Sequence, residues 1–389
     1  MPSGRHCGGA PAPRSGQERA ARCLVDASSL GDVLDDHAAR RTPSEFAFRA
    51  TDYYTSLIDW KDPADPIRRL IVPSAGEARD FGTLDPSNEA DNTVVVGLQH
   101  KYEDTVLMLV TDQCAGFCRY CFRKRLFSER NRETLPDWGP ALAYIREHPE
   151  ITDVVLSGGD PLTVATESLR QLIDDLLTID HVRTLRIGSK VPAFDPGRIV
   201  DDPEMPRLVE AVVKSGRSLY LMTHFDHPRE LTAHALEALA VFKDAGATCL
   251  NQCPVTAGIN DDASVLAALF QACTEAGCPQ YYVFQCRPTR GNAPFVVPIV
   301  RVAEIVEHAR HRVSGLSRRA RYCLSHATGK VEIVGVDDDH IYARYHRAKS
   351  EADIGRVVVY HRDDRACWLD ELVPATDMSD RGGVTARGA

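Results

Sequence analysis

The sequence predicts an α/β protein: a partial (β/α)6 barrel with an N-terminal helical arm and a C-terminal α/β extension. Two observations carry that expectation. From about residue 105, short apolar runs alternate with amphipathic stretches. Each apolar run is then followed at once by a polar cluster holding His, Gln, Lys and Arg, where turns alone would call for Gly, Asn, Asp and Pro.

The expected strands are Thr105–Thr111, Asp153–Leu156, Thr184–Ile187, Ser218–Met222, Ala247–Leu250 and Tyr281–Phe284. Their continuous apolar character fits parallel strands buried on both faces. Between them lie helical stretches with apolar residues at i, i+3 and i+4: Pro140–His148, Glu167–Leu177, Met205–Lys214, Glu230–Ala245 and Ala263–Ala276. Strands alternating with crossover helices imply a parallel sheet. The polar clusters are the cysteine loop after the first strand, Ser157 to Leu162 after the second, and Gly188 to Lys190 after the third. Thr223 to Pro228, Asn251-Gln252 and Gln285 to Arg287 follow the remaining ones. In barrel-like α/β folds the loops at the carboxyl ends of the strands build the active site.

Five segments follow: a loose tail over 1–26, the arm over 27–104, the barrel over 105–290, an extension over 291–375, and a second loose tail over 376–389. The arm holds a helical stretch around Ser44–Ile58 and then a proline-punctuated run. The extension holds a helix near Val302–His311, then Tyr322–Val336 and the strand-like runs Ile341–Tyr345 and Arg356–Tyr360.

Composition narrows the function. A chain of 389 residues, 43% hydrophobic and 26% charged, can bury a large core. The formal charge of −9 argues against a nucleic-acid binder, which would be basic. No apolar run approaches the ~20 residues of a membrane span. The first 22 residues lack an apolar signal-peptide core, and the 12 cysteines therefore fit a reducing cytoplasm rather than a disulfide framework.

Cys114, Cys118 and Cys121 form a C-x3-C-x2-C run. Iron–sulfur clusters are normally held by four cysteines, so three leave one iron open for a ligand. An open coordination position marks a catalytic rather than a structural metal site. A zinc site with a distant fourth ligand is the bland alternative. The spacing resembles that of the radical S-adenosylmethionine superfamily.

Further stretches sharpen the resemblance. They are Tyr53 to Asp59, Asp65 to Arg68, Gly97 to His100, Thr111-Asp112 with the cysteines, Ser157 to Asp160, Arg186 to Ser189, Thr223-His-Phe with His227-Pro228, and Gly258 to Asp261. From about Tyr53 to the region of Lys330 the chain resembles the lysine 2,3-aminomutase family, which uses S-adenosylmethionine and pyridoxal phosphate together. The resemblance implies an isomerase that moves the α-amino group of an amino acid to Cβ. It implies that Cys114, Cys118 and Cys121 hold a [4Fe-4S] cluster. Ser157, Gly158, Gly159 and Asp160 would meet the amino group of S-adenosylmethionine, and His224 and Gln252 its nucleoside. Lys330, after Gly329, would carry pyridoxal phosphate as a Schiff base. Lys101 stands where the family has a phosphate-binding arginine, and Thr105 replaces a second one. Arg123 matches the arginine that grips the substrate carboxylate, a task suited to a guanidinium fork. A flavodoxin- or ferredoxin-type electron donor and a homo-oligomer are implied as partners, with no nucleic acid and no membrane.

The chain also departs from the family. Lysine-specific members hold the substrate ammonium with two aspartates; one position is Arg287 here, and Tyr322–His326 contains no carboxylate. Arg287 favours glutamate as substrate, with arginine as a further option. The alternatives are lysine 2,3-aminomutase proper, a radical enzyme without pyridoxal phosphate on the same scaffold, and a non-catalytic metal-binding protein. The C-terminal region carries only Cys367, so no structural zinc is expected there.

Overall fold

The computed structural model describes residues 24–25, 46–127, 132–135 and 137–377. The expected tails, with Cys7 and Cys23, lie outside the described residues apart from 24, 25, 376 and 377. Two short strands, β1 (Leu24–Val25) and β2 (Ala50–Thr51), pair antiparallel.

All other described strands join one 13-stranded sheet in sequence order. They are β3 (Thr93–Val95), β4 (Leu98–Tyr102), β5 (Thr105–Thr111), β6 (Asp153–Gly158), β7 (Thr184–Ser189), β8 (Ser218–Thr223), β9 (Thr248–Val255) and β10 (Gln280–Gln285). Beyond these come β11 (Arg321–His326), β12 (Gly329–Val336), β13 (His340–Ala348), β14 (Val357–His361) and β15 (Pro374–Asp377). The strands from β5 to β11 run parallel. On one side β4 and β3 continue the sheet antiparallel; on the other, β12 to β15 do the same. The sheet is therefore continuous through residues 104/105 and 290/291, and β11 adds a parallel strand beyond the expected six.

Each crossover carries its expected helix: Gly139–Glu147, Thr166–Leu177, Glu204–Lys214, Ala233–Asp244, Ala263–Glu275 and Ile299–His311. Their apolar stripes, such as Leu169, Leu172 and Ile173, or Leu208, Val209 and Val212, bury against alternate strand residues including Val154, Leu156, Leu185 and Ile187. Burial of both strand faces was the expectation, and β6 and β7 instead alternate. Their other face, with Val155, Ser157, Arg186 and Gly188, borders a cavity rather than a second helical layer.

Two helices are shorter than the apolar spacing suggests. Within Ser44–Ile58 the described helix covers only Asp52–Thr55, because Thr51 is extended and caps it by accepting from the Tyr54 amide. The stretch Glu230–Ala245 breaks after a 3-10 turn at Pro228–Glu230, where His227 and Glu230 form a capping box and Thr232 starts the helix afresh. No described helix is long and apolar enough to cross a membrane.

Candidate active site

A cavity of about 370 Å³ opens at the carboxyl ends of the parallel strands. Every residue singled out from the sequence borders it: the three cysteines, Ser157 to Asp160, His224, Gln252, Lys101, Lys330, Arg123 and Arg287. That volume is in the range of small-molecule sites.

The cysteine loop is fastened from outside. Buried Arg119 binds Glu77 at 2.6 Å and the Ala47 carbonyl at 2.8 Å, and its own amide donates to Leu70 O. Burial pushes the Cys114, Cys118 and Cys121 thiols above their usual range; Lys190 pulls Cys118 back, and Lys124, Arg123 and Arg125 pull Cys121 back. Among the described residues no three His, Cys, Asp or Glu side chains converge as for one metal ion. A zinc site needs that convergence, with ligands about 2.0–2.3 Å from one centre. A four-iron cluster does not, because each of its cysteines binds a different iron.

The glycines of the second motif serve the cysteine loop. A Cβ on Gly158 would stand 2.2 Å from the Thr111 carbonyl oxygen, and one on Gly159 would stand 2.2 Å from that of Gln113. Gly158 also has φ +123°, where only glycine is at ease. The Gly159 and Asp160 amides then donate to Thr111 O and Gln113 O at 2.6 and 2.7 Å. The close approach is thus first to the chain's own backbone. Asp160 was expected to face an ammonium. Its Oδ2 instead accepts from Ser189 Oγ and the Lys190 and Val191 amides, and its Oδ1 accepts from the Leu162 amide. One lone pair on Oδ1 is left for a ligand.

Beneath His224 lies a buried charge network that the sequence did not disclose. Lys190 Nζ reaches Asp226 at 2.6 Å, Glu230 at 2.7 Å and the His224 carbonyl at 2.7 Å. The Tyr120 hydroxyl, from the cysteine loop, donates to Asp226 at 2.5 Å and lies 3.1 Å from His224 Nε2. Burial pushes the Asp226 carboxyl up, but Lys190 and His224 hold it well below the carboxylate range. The network ties the cysteine loop to the β7 and β8 ends.

Lys330 is the second residue of β12, opposite Ser325 on β11 and Arg347 on β13. Gly329 precedes it because a Cβ there would stand 2.2 Å from the Arg347 carbonyl oxygen. The amine lies 4.3 Å from the Tyr282 ring centroid and 4.6 Å from that of Phe284. Among the described residues no carboxylate pairs with it. Burial lowers its pKa to about 7, helped by the Arg287, Arg186 and Arg347 charges. A lysine with a substantial neutral fraction at pH 7 is a competent nucleophile toward an aldehyde.

Arg123 and Arg287 meet across Phe122, with guanidinium carbons 4.8 and 3.6 Å from its ring centroid. Between them stands Glu89, which the sequence reading missed. Arg123 grips it through Nε and Nη2, at 2.8 Å for the shortest contact, while Arg125 reaches it at 2.7 Å and Arg287 at 3.9 Å. Burial alone would raise the Glu89 carboxyl, yet Arg123, Arg287 and Arg125 hold it far below its usual range. Burial brings Arg287 down to about 10. Arg123 Nη1 donates to Ser157 Oγ at 2.9 Å, so Arg123 and Ser157 are joined directly. Arg347, also missed, reaches Thr105 Oγ1 at 3.1 Å and pairs with Asp104. Glu89 sits in a proline-punctuated arm with no periodic signal.

No family model matches the chain. Curated relatives do. A protein of Aquifex aeolicus provisionally named an L-lysine 2,3-aminomutase is 48% identical over 90% of this chain and 94% of its own length. The L-lysine 2,3-aminomutase of Clostridium subterminale is 38% identical over 68% of this chain, which spans 63% of that protein. The L-lysine 2,3-aminomutase of Escherichia coli is 34% identical over 72% of this chain and 80% of its own. Among solved structures, a radical S-adenosylmethionine methyltransferase from Sphaerobacter thermophilus matches 58% of this chain and 68% of its own, at 17% identity and a TM-score of 0.39, too distant to carry an argument. Identity of 48% over nearly the whole length of one relative, and of 34–38% over about 70% of this chain in the others, places the chain in the lysine 2,3-aminomutase family, isomerases that use a [4Fe-4S] cluster, S-adenosylmethionine and pyridoxal phosphate.

Proposed function

We propose that this cavity moves the α-amino group of L-lysine to Cβ, giving a β-amino acid. The observation that carries the reading is that the three cysteines of one loop and a lysine with a pKa of about 7 border one cavity, with Cys286 reaching it separately from the end of β10. Lysine is the substrate in the relatives' names.

Cys114, Cys118 and Cys121 would hold the cluster, and the open iron would take S-adenosylmethionine near Ser157 to Asp160, His224 and Gln252. Lys330 would carry pyridoxal phosphate. When bound, these groups supply hydrogen-abstracting radical chemistry and a conjugated carrier for the migrating nitrogen. The chain's own contribution is placement. Neutral Lys330 attaches and releases the carrier without first losing a proton, and Tyr282 and Phe284 keep water from its amine. Arg123 positions the substrate carboxylate, sharing or exchanging its fork with Glu89. The strands from β5 to β10 are read as the partial barrel whose mouth this is. A flavodoxin- or ferredoxin-type protein would deliver the electron, in a cytoplasmic setting, with a homo-oligomer as the working assembly.

A second reading is favoured by one observation: Arg287 borders the cavity, at a position where the family resemblance implies an aspartate that receives the substrate ammonium. An arginine there repels a cation, and losing a buried charge pair costs about 3–5 kcal/mol. Glu89 offsets that repulsion only in part, since three arginines share it. Glutamate is the substrate this charge pattern suits. Anaerobic reconstitution followed by separate incubation with L-lysine, L-glutamate and L-arginine decides between them. β-Lysine as the main product supports the proposal; β-glutamate as the main product overturns the lysine assignment and leaves the reaction intact.

A further inference from the structure

The wall beside Lys330 is more cationic than a lysine waiting for an aldehyde needs. Lys101 enters from β4 and Arg347 from β13, and both border the cavity with Thr105 and Ser325. Lys101 donates to the His326 carbonyl, and it has no carboxylate partner among the described residues. Arg347 directs Nη2 to Thr105 Oγ1 and Asp104, and its face lies 4.2 Å from the Tyr102 ring centroid. Its Nε and Nη1 have no partner among the described residues.

The placement of Arg347 comes from a defect in the sheet. Val331 pairs with Tyr345 but Lys330 pairs with Arg347, so His346 is an extra residue on β13. Without it, strict alternation would send Arg347 to the face of buried Ile341, Ala343 and Tyr345. The bulge turns it to the face of Lys330 instead. Bulges often re-aim a side chain next to an active site. The result is two basic side chains directly opposite, an arrangement that favours the neutral amine of Lys330 or an anion beside Arg347.

We propose that Arg347, with Lys101 and the Thr105 hydroxyl, is the binding site for the phosphate of the ligand carried on Lys330. This rests on the assignment of Lys330 above. A phosphate dianion there offsets the Arg347 charge that faces Lys330 and accepts a charge-assisted hydrogen bond from an unengaged guanidinium N–H. Arg347 thus supplies, from a strand outside the barrel, the second cation that Thr105 does not.

Equilibrium binding to the full-length chain, followed by absorbance, tests this with pyridoxal phosphate and with pyridoxal, which lacks only the phosphate. At a pH well above the Lys330 midpoint, where the amine is neutral with or without Arg347, Arg347→Gln is expected to weaken pyridoxal phosphate about tenfold or more and to leave pyridoxal within about twofold. Arg347→Lys, which keeps the charge, should fall between wild type and Arg347→Gln. Equal weakening of both ligands, or of neither, in Arg347→Gln overturns the inference. A wild-type chain that binds both ligands equally also overturns the inference, whereas imine absorbance that persists in Lys330→Ala would instead remove the Lys330 assignment on which the phosphate site rests.

Discussion

Lys330 and Arg347 face each other across the β12–β13 pair because His346 is bulged out of the ladder. Burial and this facing charge keep the Lys330 amine near a pKa of about 7. Its charged form is penalised by folding, so the neutral amine dominates as pH rises above that value. Trapping with pyridoxal and borohydride, read by peptide mass, should therefore label Lys330 with a midpoint near pH 7. In Arg347→Gln the midpoint should move upward. A rate that keeps climbing toward pH 10, as for a surface lysine, would show that the pocket does not perturb the amine.

Glu89 pairs with Arg123 and Arg125 and lies 3.9 Å from Arg287, while Arg125 also holds Glu133 at 2.9 Å; removing Glu89 leaves Arg123 and Arg287 facing each other with no carboxylate partner among the described residues. Glu89→Gln should cost about 3–5 kcal/mol, read from urea unfolding. The pH dependence has a definite sign. The folded carboxyl titrates well below its ordinary 4.5, so its stabilisation is whole above that pH and drains away as pH falls further. The wild-type chain should lose stability below pH 4.5 more steeply than Glu89→Gln. Parallel slopes would mean that Glu89 is not held by the arginines.

Gly159 admits no side chain, since a Cβ would stand 2.2 Å from the Gln113 carbonyl oxygen. Gly159→Ala must push the cysteine loop off the β6 end. Iron in the anaerobically reconstituted variant should fall from about four atoms per chain to less than about half of that. Wild-type iron content in Gly159→Ala would show that the loop tolerates the shift.

The parallel strands and their crossover helices were legible because their patterns are local. Each strand is a short apolar run, and each helix repeats apolar residues at 3.6 spacing, so β5 to β10 and their crossovers stand within a few residues of expectation. What pairs with what was less legible. Nothing in Tyr322–Val336 says that β11 joins β10 in parallel, because register is set by non-local packing. The cavity residues that follow a strand, from Cys114 to Arg287, were found for the same local reason. Glu89 was not, since it reaches the cavity from an irregular arm. Arg347 was not, because only the bulge at His346 takes it off the apolar face that alternation assigns to it. Asp160 was found, but not its hydrogen bonds to Ser189, Lys190 and Val191, which join two loops that are distant in sequence.

The most direct test follows L-lysine labelled with ¹³C at C2 and ¹⁵N at the α-amino group through the reconstituted, reduced protein by NMR. The ¹³C–¹⁵N coupling should vanish as ¹⁵N appears on C3 of the same molecule, in the wild-type chain and not in Lys330→Ala. Transfer of ¹⁵N by Lys330→Ala, or no migration in the wild type with lysine, glutamate or arginine while S-adenosylmethionine is still cleaved, would contradict the account.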